Sequence, residues 1–579
     1  MTKFEKVLRA LFVLSVLLLL LSYASPNTHW IVHRCIFNSF FAANSVDRFF
    51  ETSPNPENYK ARLAQLNRIS NLYPTDKQYN IAVATLRCLL NSQSNGTGIT
   101  DYSYAEEVIL KNNPGGPEYA HLLRLKLSHS ISLKRETKDT LTVSKGSVGK
   151  DTDKPNAKVA TDPAELAKFD EFCQQGETLE PNNGVFPLMR AIGLYESGRD
   201  EEAIAALHRA STASGWNEHF DVEIQGRQKM YEALYGHLDA ITSTASVYSI
   251  LYPQYAGYRG VSRFAVQQAI QKERSGDLQG GLVIRQDIQR VAAKFRLYSQ
   301  TTIGSLVANA IFNMAMSRPG GEPPPAPLKG QTNPGRVNYG PKYVKYLQSI
   351  HRDDEAKWVN LENNAQNATR VITTSYFNTP LGSMAVYVRL ATYWAISTLL
   401  IIVLLWHLIF ALASATYLRL RGTDRKKRAF RSDRIIDSAA MVLFIGFVAL
   451  LANKQLSQVP GYISQLNTTG TTPSLDAAKI VVGCIIFGPI VLLLVISAIY
   501  ALIVHKRVGE TMAKACRAFG LIYSFGLSCA ALFFVGKVAI QDNTLMNHTK
   551  EISKNELAAM AKVIGKPVPG PVPDPNPPK

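Results

Sequence analysis

No two of the six cysteines (Cys35, Cys88, Cys173, Cys484, Cys516 and Cys529) stand at C-x-x-C or zinc-ligand spacing in this 579-residue chain. That excludes a zinc ribbon and a dense disulfide framework, and leaves open one bridge among the first three. The common catalytic signatures are missing too: there is no HExxH, no GxSxG and no dinucleotide-binding glycine fingerprint. Gly146-Ser147-Val148-Gly149-Lys150 imitates a phosphate loop, but Asp151 follows the lysine and Ser144 stands where the first glycine belongs. The histidines are scattered and form no metal triad by spacing. The sequence thus nominates no catalytic, cofactor-binding or metal-ligating residue, and a non-enzymatic role is expected.

Acidic residues are in deficit, 45 against 63 Lys and Arg, for a net charge of +18. An excess of this size fits nucleic acid, an anionic membrane or membrane topology. Its location decides. Arg419–Arg434 holds eight basic residues against two Asp, and Lys506–Arg517 four against Glu510. Both stretches lie between apolar runs, which favours topology and argues against nucleic acid as a partner.

Long apolar runs are absent from about Asn38 to Phe377 and frequent after Leu390. Four follow: Leu390–Ala415, Ile435–Ala452, Ile480–Val504 and Ala518–Val535. In lipid every backbone polar group must be satisfied internally, so each is expected to be a helix. Near the start, Lys3, Lys6 and Arg9 precede an apolar core from Ala10 to Leu21, and Ser22-Tyr23-Ala24 supplies small residues. This is the layout of a secretory signal peptide or an uncleaved signal anchor. Basic short loops face the cytoplasm. The loop Asn453–Lys479 carries only Lys454 and Lys479 and is expected outside, as are the region before Leu390 and the tail after Lys537. Glycosylation sequons at Asn95, Asn367, Asn467 and Asn547 all fall on that outer side.

The expected division is a signal peptide or anchor (1–24), an external helical region (30–133), a polar linker (134–163), a second helical region (164–316), a Pro/Gly-rich loop (317–341) and juxtamembrane helices (342–389). Membrane spans then occupy 390–416, 435–452, 480–504 and 518–536. They are separated by a basic cytoplasmic loop (417–434), an external loop (453–479) and a second cytoplasmic loop (505–517). An external tail (537–579) ends KPVPGPVPDPNPPK, a composition that suits a disordered polyproline-like segment.

Ionisable residues inside spans are functional candidates. His407 is one, either a proton relay or a packing donor; Asp437 sits at an interface, and Gly488-Pro489 breaks a helix. Gly520, Ser524 and Ser528 form a small-residue stripe suited to close helix–helix association in the membrane.

The outer region is mostly helical in period. Its clearest stretch is LEPNNGVFPLMRAIGLYESGRDEEAIAALHRA, from Leu179 to Ala210. Glu201, Glu202 and His208 could suggest acid–base machinery. The spacing instead predicts a helix to about Ser197, a turn at Gly198-Arg199-Asp200 with Asp200 as cap, and a second helix whose acids face the dipole. Pro181, Ala191, Leu194, Gly198, Ala203, Leu207 and Ala210 are in register for a 34-residue unit. The stretch resembles the tetratricopeptide repeat (TPR) family, departing from it at Pro187 and Arg190. Weaker echoes lie at Leu72–Asp76 and Ala269–Ile288. A non-repeat helical domain with one lookalike hairpin also suits the pattern.

The fold class expected is mainly α: an external, irregular helical-hairpin (TPR-like) array plus a C-terminal transmembrane helix bundle. The resemblance implies that the external domain binds protein or peptide in a scaffold or assembly role, with the lipid bilayer as the other partner. A transporter or channel component using His407, and a membrane-embedded enzyme, are the alternatives. The expected location is the plasma or inner membrane, multi-pass, with the large N-terminal domain on the non-cytoplasmic side.

Overall fold

The computed structural model describes residues 3–33, 56–94, 101–133, 135, 161–248, 250, 252–323, 338–422, 492, 495–504 and 508–576. The expected span 435–452, the loop 453–479, the residues Asp437 and Gly488-Pro489, most of 480–504 and most of the basic loop 417–434 lie outside them. So do the phosphate-loop lookalike, Cys35 and Cys484.

The described elements are helical, and the chain is mainly α. In order they are α1 (Lys3–Ala24), α2 (Pro26–His33), α3 (Pro56–Ile69), α4 (Lys77–Ser94), α5 (Ser103–Lys111), α6 (Gly116–His129), α7 (Pro163–Leu179), α8 (Val185–Glu196), α9 (Asp200–Thr212) and α10 (Phe220–Tyr235). Then come α11 (Ala240–Tyr248), α12 (Pro253–Arg274), α13 (Leu278–Tyr298), α14 (Thr302–Ala315), α15 (Gly340–Ser349), α16 (Asp353–Phe377), α17 (Met384–Gly422), α18 (Val508–Lys554) and α19 (Glu556–Ile564). They divide into two compact units.

The larger unit holds residues 54–238, 242–383 and 547–579. It is built from antiparallel helical neighbours: α3 with α4, α7 with α8, α8 with α9, α12 with α13, α15 with α16. The α8–α9 hairpin stacks on α12–α13, α8 against α12 and α9 against α13. One continuous core runs through these helices, from Ile81 and Ala84 through Phe186 and Leu207 to Phe295 and Trp358. The two helical regions expected as separate are therefore one unit. The described residues on either side of the polar linker meet at one side chain, because Glu196 accepts a hydrogen bond from the Arg135 backbone N–H at 3.3 Å and another from the Thr161 hydroxyl at 3.1 Å.

The turns explain the hairpins. Gly198 and Gly276 both take positive φ, 74° and 93°, a backbone conformation that glycine adopts without steric cost. Asp277 caps α13, its carboxylate accepting from the Gly280 N–H at 2.8 Å. Asp200, expected as the cap of α9, is instead its first helical residue and gives its carboxylate to Arg135 at 3.0 Å. The asparagines of the Leu179–Asn183 boundary form a clip. Asn183 Oδ1 accepts from the Asn217 N–H at 3.0 Å, Asn183 Nδ2 donates to the Asn217 carbonyl at 2.8 Å, and Gly215 N–H donates to the Asn182 carbonyl at 2.8 Å.

The smaller unit holds residues 1–53, 239–241 and 384–546. In it Leu404 and Leu408 of α17, Leu527 of α18 and Leu19 of α1 pack together. The stripe residues Ser524 and Ser528 are buried at this packing, with the Ser528 hydroxyl bonded to the Ser524 carbonyl at 2.8 Å. His407 lies on α17 and Gly520 on α18; their surroundings fall outside the described residues. Among the described residues one helical stretch, Ile522–Lys554, is long and apolar enough to cross a membrane; Val13–Ala24 is a shorter apolar helix. The 47-residue α18 runs about 70 Å at 1.5 Å per residue, so it does not stop at Lys537 as the sequence suggests.

Candidate peptide seat on the helical unit

The residues of Leu179–Ala210 build the α8–α9 hairpin and no surface site. Ala191, Leu194, Ala203, Leu207 and Ala210 are buried, Gly198 makes the turn, and Pro181 is exposed at the boundary. The apparent acid–base set is dispersed: Glu202 pairs with Arg199, and His208 Nδ1 reaches across to Asp287 of α13 at 3.0 Å. Asp287 also accepts from the Ser211 hydroxyl at 2.5 Å. These contacts tie one hairpin to the next. Cys88 and Cys173 are buried free thiols.

A second polar cluster is buried between α6, α10 and α12. Arg124 donates to Glu223 at 2.6 Å and to the Glu218 carbonyl at 2.7 Å, while Arg227 donates to the other Glu223 oxygen at 2.7 Å. His121 Nδ1 stands 3.0 Å from Glu223. Burial opposes ionisation of Glu223, but His121, Arg227 and Arg124 together hold its carboxyl well below the usual range. Glu218 has weaker support, accepting from Gln254 at 3.3 Å and Tyr255 at 3.2 Å. Burial pushes its carboxyl up to about 7. Each group is engaged by its neighbours, so the cluster acts as a clamp between helices.

The surface with chemistry to offer lies where the C-terminal segment meets α13 and α16. It begins with α19, whose Leu557, Met560 and Ala561 pack on Ile372 and Tyr376 of α16. Asn555 caps α19 by accepting from the Ala558 N–H at 2.9 Å. Glu556 accepts from the Thr302 N–H at 2.7 Å. Gly565, at φ 68°, ends the helix, and the prolines beyond it cannot resume one.

The segment from Lys566 to Asn576 has no regular secondary structure, yet it is held at positions two or four residues apart. Val568 packs beside Ile372 and Tyr376. Val572 packs against the main core, and its carbonyl accepts from the Trp358 indole N–H at 3.3 Å. Arg290 on α13 donates through Nε to Asp574 at 2.6 Å and through Nη2 to the Asn576 carbonyl at 2.5 Å. Asp574 folds the chain locally, accepting from the Asn576 N–H at 3.0 Å, and Asn576 Nδ2 donates to Glu355 Oε1 at 2.9 Å. The other oxygen of that nearly buried glutamate, Oε2, has no hydrogen-bond partner among the described residues.

One turn from Arg290, Lys294 donates to the Ser211 and Ala213 carbonyls at the end of α9. Burial, with the Arg290 charge, brings its ammonium down to about 8, against a partial counter-effect from Asp574 and Asp287.

The expectation of a disordered polyproline tail is thus corrected for residues 566–576. Composition predicts weak intrinsic structure, and tertiary contacts at every second or fourth residue supply the order. Arg290, Glu355 and Trp358 carried no signal in the sequence, because their roles depend on a segment more than two hundred residues away. Alternating Val and Pro before an Asp was the one legible hint of an extended ligand. No protein-family model, no curated protein and no solved structure matches the chain.

Proposed function

We propose that the chain is a multi-pass membrane protein whose helical unit is a binding module for protein or peptide on the non-cytoplasmic side, in a scaffold or assembly role. The observation that carries the reading is the irregular C-terminal segment held on α13 and α16, since a surface that orders one such peptide has the means to hold another. The stacked hairpins and their glycine turns support a TPR-like array. The candidate span Ile522–Lys554 supports the membrane part.

Crosslinking in intact cells, with the full chain carrying a photoreactive residue at Gln286 or Asn363, is expected to trap a defined protein partner. Absence of any adduct above that of a control placed on α3 counts against the reading. Topology has its own check: cysteines placed at Arg425–Arg428 are expected to resist impermeant labelling of intact cells, and ready labelling reverses the orientation.

A further inference from the structure

The C-terminal segment occupies its seat through few contacts. Between its anchors, Gly570, Pro571 and Pro573 remain exposed. The seat offers a guanidinium for a carboxylate, an indole N–H for a carbonyl, and an apolar patch for a side chain. It also offers a glutamate with one oxygen still unmet. Arg352 faces only the other oxygen of Glu355, at 3.5 Å, and a nearly buried acceptor without a donor is costly, so a peptide that satisfied Oε2 would hold the seat better than the tail does.

We propose that the surface formed by Arg290, Glu355 and Trp358 is a recognition site for an extended, proline-spaced peptide from a partner protein, and that the chain's own tail is its resident competitor. The ligand carries an apolar residue, a carboxylate two positions on and a cation or amide two positions further. This rests on the binding-module reading and names its ligand class and its regulation. Tethering places the tail at an effective concentration in the millimolar range, so a modest intrinsic affinity suffices to keep the seat filled until a better ligand arrives.

The test uses the full chain in detergent and a fluorescein-labelled peptide, GPVPDPNPPK, followed by anisotropy. The double variant Val572→Asp/Asp574→Lys empties the seat. It is expected to bind the peptide at least ~10-fold more tightly than the wild-type chain. Adding Arg290→Ala is expected to abolish that gain. A peptide with lysine in place of its asparagine, aimed at the unmet Glu355 oxygen, is expected to bind several-fold tighter than the native one.

Equal binding by the wild-type and emptied chains, or binding indifferent to Arg290, overturns the proposal. A concentration-dependent dimer of the wild-type chain that Arg290→Ala dissolves also overturns it, because the occupant is then the tail of a second copy. If the peptide site fails while partner crosslinking persists, only this inference falls. If both fail, the binding-module reading falls as well.

Discussion

The α8–α9 and α12–α13 hairpins share a turn geometry and differ in where they put charge. In the first, Arg190, Arg199 and Arg209 pair with Asp170, Glu202 and Glu177 at or near the surface. In the second, Arg285 and Glu273 form a two-point pair at 2.6 and 2.9 Å with both side chains fully buried. Arg285 also donates to the carbonyls of Ala315, Ser317 and Arg318, closing the end of α14. The α8–α9 hairpin uses charge as a solvated fringe. The α12–α13 hairpin uses it as an internal tie between three helices, where desolvation makes each partner depend on the other.

The largest way to break this contrast is Glu273→Ala. It leaves Arg285 buried with an uncompensated charge and is expected to cost about 3–5 kcal/mol in denaturant unfolding. Arg199→Ala, in the α8–α9 hairpin, is expected to leave the midpoint nearly unmoved, because exposed pairs contribute little. Equal losses from the two would remove the distinction. Replacing Arg285 and Glu273 together by Met is expected to recover part of the loss only, since the end of α14 then lacks its donors.

Glu218 sharpens the comparison through pH. Its folded-state value of about 7 lies above that of an unfolded glutamate, so the native chain binds the extra proton between about pH 4.5 and 7. The stability this group contributes is fully present below about pH 4.5 and is lost as pH rises through 7, by up to roughly 3 kcal/mol. Glu218→Gln is expected to flatten that slope in urea midpoints compared at about pH 5 and about pH 8. An unchanged slope would assign the dependence to other groups.

The smallest effect tests what the hairpins share. A Cβ at Gly198 or Gly276 meets no atom within 4 Å, so the penalty at either is conformational. Gly198→Ala and Gly276→Ala are each expected to cost about 1 kcal/mol in thermal or urea unfolding. Unequal costs would show that the two turns are not equivalent.

These particulars show how far the sequence reaches. The Gly198 turn, the buried faces at Ala191, Ala203 and Leu207, and the echo at Gly276-Asp277 were legible, because hairpins are set by local turn chemistry and helical period. Asp200 was misread as a cap: a carboxylate's role at a helix start depends on whether an arginine such as Arg135 arrives from elsewhere. The polar linker read as a boundary because composition reports what a segment buries, and cannot report that its two ends meet at Glu196.

The sequence by itself determined that the chain is helical, where its apolar runs lie and how its clearest hairpin turns, since those follow from period, propensity and backbone sterics. Only the tertiary structure decided that two helical regions share one core, that Arg285 and Glu273 are buried together, and that a proline-rich tail has a seat. The physical reason is common to all three. Desolvation and long-range pairing act between residues far apart in the chain, and no local pattern records them.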